Sequence, residues 1–148
     1  MRRLLPLLAL LGFAACSRPE VPEPSAAHPD APPVAFASFD FDEALSRARA
    51  ENKLVFVDVY ADWCTWCHKL DDEVFTDERV KAALKSVLPI RVNAEKGSGR
   101  SVAARYHVRS LPTLLFVNAD GNVVKRSEGY ISADGFLKLL GQLPGSRI

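Results

Sequence analysis

Two cysteines separated by two residues, Cys64-Thr65-Trp66-Cys67, are the side chains in this sequence best suited to chemistry. A thiolate is the attacking species in exchange with a disulfide, and lowering a cysteine's pKa raises its thiolate fraction. With two residues between them, the sulfurs can meet across one helical turn and close a disulfide. Such a pair can pass two electrons to another disulfide through a mixed-disulfide intermediate. Cys64 is expected to be the exposed nucleophile, and Cys67, one turn deeper, the cysteine that resolves the intermediate. The one remaining cysteine is Cys16, so no structural disulfide framework competes for the pair.

Other chemistries fit parts of the same motif. Cys64-x-x-Cys67-His68 has the spacing of c-type haem attachment, with His68 as the first iron ligand. Met1 is the only methionine, so a second ligand would have to come from His107 or His28. His107 otherwise reads as a partly buried loop residue. Zinc needs about four ligands. One cysteine pair with scattered histidines falls short, and no metal site is expected. A tethered, non-catalytic binding module is the remaining alternative.

The elements that must position the pair are legible on either side of it. Leu54 to Tyr60 is a buried strand rich in Val and Phe. It runs into a helix from Cys64 to about Val74. A helix N-terminus carries about half a positive charge and unpaired N–H groups, and both favour thiolate at the first cysteine. Upstream, Asp40-Phe41-Asp42-Glu43 has the spacing of a capping box and opens a helix to about Asn52, with Ala44, Leu45 and Ala48 on one face. Downstream come a helix over Asp77 to Lys85 and a strand over Leu88 to Asn93. After the break at Gly97-Ser98-Gly99 a short helix runs from about Arg100 to Tyr106. Strands over Thr113 to Val117 and Val123 to Arg126 flank the hairpin signal Asn118-Ala119-Asp120-Gly121. A helix over Asp134 to Leu143 closes the order. Parallel strands joined by helices and followed by an antiparallel hairpin predict an α/β fold: a mixed central sheet with helices on both faces.

The chain has 148 residues, enough for one domain. Nineteen basic and eighteen acidic residues leave a net charge of +1, which gives no reason to expect a nucleic-acid partner. The first fifteen residues read as an export signal: Met1-Arg2-Arg3 is basic, and Leu4 to Phe13 is almost wholly apolar. That run of about ten residues is too short to span a bilayer, which takes about twenty. Phe13-Ala14-Ala15-Cys16 resembles a bacterial lipobox, with Phe13 in place of the usual Leu. The resemblance implies lipid on Cys16, anchoring to a membrane, and a place in the periplasm or cell envelope. Residues 16–35 form a tether, with six prolines between Pro19 and Pro33 keeping it extended. The folded domain is expected over residues 36–148.

The motif around the cysteines, Asp58-Val59-Tyr60-Ala61-Asp62-Trp63-Cys64, resembles the thioredoxin superfamily, and especially the C-terminal domain of DsbD-type thiol reductases. Val108-Arg109-Ser110-Leu111-Pro112-Thr113 resembles the cis-proline segment of that family. The resemblance covers about Phe39 to Leu143 and implies a thioredoxin fold. It also implies protein-disulfide reductase activity, with no cofactor besides the redox-active Cys64–Cys67 disulfide. Asp58 falls where the family keeps a buried acid, which would take a proton from Cys67. Substrate contact would fall to Trp63, Thr65, Trp66, Leu111 and Pro112, with the backbone of Leu111 pairing to an extended segment. Arg91 aligns with a family lysine near the buried acid, or else is solvated surface. The implied partners are disulfide-containing envelope proteins and a membrane thiol reductase as electron donor, with the chain itself a monomer. Thr65-Trp66 departs from the Gly-Pro of thioredoxin, so the redox potential does not carry over.

Overall fold

The computed structural model describes residues 34–144. The expected export signal, Cys16 and nearly all of the tether lie outside the described residues. Nine elements follow in the order expected: α1 (Phe41–Glu51), β1 (Val55–Tyr60), α2 (Thr65–Glu73), α3 (Glu78–Leu84), β2 (Leu88–Asn93), α4 (Gly99–Arg105), β3 (Thr113–Val117), β4 (Val123–Glu128) and α5 (Ala133–Gly141). The four strands form one sheet in the order β2-β1-β3-β4. β1 and β2 are parallel, whereas β1 with β3 and β3 with β4 are antiparallel. Among the described residues no helix is long and apolar enough to cross a membrane.

Both faces of the sheet are covered, so β1 and β3 are almost continuously apolar rather than alternating. Phe56, Leu114 and Phe116 point to the side where α2, α3 and α5 pack, against Leu70, Val80, Phe136 and Leu140. Val55, Val57, Val59, Leu115 and Val117 point to the other side, against Phe41 and Ala44 of α1 and Val102 of α4. Side chains alternate along a strand. Asp58 therefore shares the face of Phe56 and lies on the α2 side of the sheet.

Local signals set the element ends. Asp40 caps α1 by accepting the N–H of Glu43 at 2.9 Å. The reciprocal half of the expected capping box is not made, because the Glu43 carboxylate pairs with Arg47 one turn on. Asn52 ends α1 with a left-handed φ of 51°, its N–H reaching the carbonyl of Ala48. Ser132 caps α5 one residue before its first turn, which starts that helix at Ala133 rather than Asp134. Gly99 opens α4 at a close crossing: a Cβ there would stand 2.0 Å from the carbonyl oxygen of Asn93 at the end of β2. Only glycine permits that approach. The folded unit also begins earlier than Phe36. Val34 is buried, its N–H bonds to the carbonyl of Phe75, and Ala37 bridges to Ile90 at the edge of β2.

Candidate active site

The site is built where β1 ends and α2 begins. After Tyr60 the chain passes through buried Ala61 and exposed Asp62 and Trp63 to Cys64. Cys64 is the N-cap of α2, with extended backbone at φ −77° and ψ 98°. Its sulfur accepts the N–H of Cys67 at 3.2 Å, the bond a capping oxygen makes elsewhere. Cys64 and Cys67 are joined as a disulfide, their Cα atoms 5.2 Å apart.

The expectation of an exposed Cys64 is corrected. Cys64 is 3% exposed and Cys67 1%, so in the oxidised form both are buried. Ala61 packs with them, and Tyr60 and Leu111 close over the group. What separates the two cysteines is their place on α2. The sulfur of Cys64 stands before the helix, facing an N–H donor and the positive end of the helix dipole. Cys67 is already inside the first turn. A thiolate at Cys64 is the one this arrangement stabilises.

Asp58 is completely buried. Its carboxyl pKa is raised to about 7, first by desolvation and then by the negative charge of Asp71, while the Arg91 guanidinium pulls the other way. Arg91 Nε lies 2.9 Å from Asp58 Oδ2. Its N–H is not aimed at the oxygen, and neither Asp58 oxygen has an aligned hydrogen-bond donor. Proximity of charge without a directed hydrogen bond leaves desolvation the larger effect. Of the two readings for Arg91, the structure places it beside the acid. Its other end pairs with Asp71 of α2 at 2.9 Å, and its guanidinium carbon lies 4.2 Å from the centre of the Tyr60 ring. Asp71 was missed in the sequence. Its signal was helical spacing, since it follows Cys67 by four residues and so shares its face.

The Leu111–Pro112 peptide bond is cis. Pro112 is buried, and its carbonyl accepts the N–H of Gly129 at 2.8 Å. Leu111 packs against the cysteines. Among the described residues its own N–H and C=O have no hydrogen-bond partner, which leaves a short backbone edge beside the disulfide. Trp63 is 67% exposed and donates its indole N–H to Glu95 at 2.9 Å. Thr65 and Trp66 are also exposed. Asp62 is latched to the end of β2 through Asn93 and to the loop after it through Lys96, and its carbonyl accepts from His68 Nε2 at 2.9 Å. Both sulfurs of the Cys64-x-x-Cys67-His68 motif lie in the disulfide, and the His68 ring is turned to the Asp62 carbonyl. No group of three or more potential metal-ligating side chains occurs among the described residues. His107 is exposed rather than partly buried. It takes a left-handed φ of 49° just beyond α4, where its N–H and that of Val108 satisfy the carbonyls of Ala104 and Ala103.

The comparisons with known proteins agree with this geometry. The family described as "Thioredoxin-like domain" matches residues 41–144. The thiol:disulfide interchange protein DsbD of Haemophilus influenzae (strain PittEE) is 34% identical over 109 residues, covering 70% of this chain and 19% of that protein. The chain thus spans about a fifth of the length of such relatives. Among solved structures, a putative disulphide-isomerase from Bacteroides thetaiotaomicron is 38% identical with a TM-score of 0.64, covering 76% of this chain and 91% of that one. A thioredoxin from Thermus thermophilus is 30% identical with a TM-score of 0.64, covering 70% and 83%. With its mixed sheet, its cysteine pair capping α2 and these matches, this chain belongs to the thioredoxin-like domain family.

Proposed function

We propose that this protein is an exported thiol–disulfide oxidoreductase that reduces disulfides of cell-envelope proteins through Cys64 and Cys67. The observation that carries the reading is the Cys64–Cys67 pair at the N-cap of α2, with a buried acid of raised proton affinity on the same side of the sheet. In the reduced protein the Cys64 thiolate attacks one sulfur of a partner disulfide. A Cys64–partner bond forms, and the other partner sulfur leaves as a thiolate. Asp58 takes the proton of Cys67, and the Cys67 sulfur then attacks Cys64. The Cys64–Cys67 disulfide closes and the second partner sulfur leaves, so two electrons have moved from the dithiol to the partner. A carboxyl with a pKa of about 7 suits this role, being partly ionised near neutral pH.

The free backbone of Leu111, with Pro112 behind it, offers an extended partner a place to pair, and Trp63, Thr65 and Trp66 surround the approach. Another round requires a reductant, for which a membrane thiol reductase is the donor in this reading. The basic and apolar start of the sequence, the lipobox-like Phe13 to Cys16 and the proline-rich stretch support export, lipid on Cys16 and a domain held near a membrane. Equilibration with a glutathione redox buffer tests the direction. The expected potential is near that of thioredoxin, about −270 mV, whereas a value near about −120 mV would make the protein an oxidant.

A further inference from the structure

Four side chains beside the disulfide form a network that the exchange steps leave unused. Trp66, between the two cysteines, is 55% exposed. Its ring centre lies 5.7 Å from that of Tyr130. Tyr130 follows Gly129, whose N–H is bonded to Pro112, so the two rings span from the cysteine turn to the Pro112 loop. Lys69 Nζ lies 5.3 Å from the Trp66 ring centre and 5.1 Å from that of Tyr130. The Tyr130 hydroxyl donates to Glu73 at 2.6 Å, and Glu73 lies 3.7 Å from Lys69. Lys69 and Glu73 anchor the pair of rings while the indole remains open to solvent.

Rings held in this way can cover an apolar partner surface at little entropic cost. Their quadrupoles, however, already serve a cation. The Glu73 carboxylate is already taken up by Lys69 and the Tyr130 hydroxyl, so a second cation arriving on the same rings would meet Lys69 as a like charge, with the attraction of the rings partly spent. We propose that Trp66 and Tyr130 form a selectivity shelf for disulfide partners with a neutral, bulky apolar side chain beside the reacting cysteine, and that Lys69 disfavours a cationic one there. This inference rests on the thiol–disulfide exchange reading above.

The test uses the reduced full chain and three disulfide-bridged peptides that differ only in the residue beside the cysteine: Phe, Ser or Lys. Hydroxyethyl disulfide serves as a small disulfide with no flanking residue. The Phe peptide should be reduced about tenfold faster than the Ser peptide, the size expected for one good aromatic contact, and the Lys peptide should be slowest. Tyr130→Ala should bring the Phe-to-Ser ratio toward one. Lys69→Met should raise the Lys peptide to the rate of the Ser peptide. Each variant is read as a ratio between peptides, so a change in Cys64 reactivity common to all substrates cancels. Equal rates on the three peptides, or ratios unchanged in both variants, would overturn the shelf alone. No reduction of any peptide or of hydroxyethyl disulfide would overturn the exchange reading, and the shelf with it.

Discussion

Replacing Asp58 with Asn should change the pH dependence of stability more than it changes the fold. The carboxyl is fully buried and its pKa is raised from 3.8 to about 7. The native state therefore holds this proton more tightly than the unfolded chain does. The resulting stabilisation is fully present below about pH 3.8, declines as pH rises, and is gone once pH passes the folded value of about 7. At about 1.4 kcal/mol per unit, the part lost between about pH 5 and pH 8 is about 3 kcal/mol. Asn cannot ionise, so the variant lacks this loss. Urea unfolding of both oxidised proteins at the two pH values measures it. Relative to wild type, Asp58→Asn should gain about 3 kcal/mol on going from pH 5 to pH 8, as ionisation penalises only the wild type. The attraction of Arg91 for the ionised carboxylate is already contained in the value of about 7, and what remains, the loss of a neutral partner, is the same at both pH values and drops out of this difference. A relative stability that moves by less than about 1 kcal/mol would show that Asp58 titrates as an ordinary carboxyl, and would remove the case for Asp58 as proton acceptor.

Cys67→Ser should accumulate mixed disulfides through Cys64, detected on non-reducing gels and located by mass spectrometry. Trapping through Cys67 in Cys64→Ser, and not in the converse variant, would reverse the two roles. Gly99→Ala drives a Cβ into the carbonyl of Asn93 and should cost about 1–3 kcal/mol in chemical denaturation. A change below about 0.5 kcal/mol would mean that α4 does not cross β2 so closely. Labelling with a fatty-acid analogue in cells should mark the wild type and not Cys16→Ala. Equal labelling of the two would discard lipid on Cys16.

The sequence by itself determined the order of the elements and the place of the cysteine pair. Strand β1, the capping residue Asp40, the helix start at the cysteine pair and the hairpin at Asn118 to Gly121 depend on interactions within a few residues, and such short-range signals can be read along the chain. Tertiary structure decided how the site is tuned. The cover over Cys64 is completed by Leu111, which arrives from a distant loop. Arg91 becomes the bridge between Asp58 and Asp71 because β2 lies parallel to β1 with Arg91 beside Asp58, and because α2 packs over that face. Tyr130 meets Trp66 because the end of β4, tied to Pro112 through Gly129, comes to lie beside α2. Desolvation and charge–charge coupling depend on which groups share a volume of low dielectric. That is fixed when remote segments pack together, so the proton affinity of Asp58 belongs to the folded assembly and not to its neighbours in sequence.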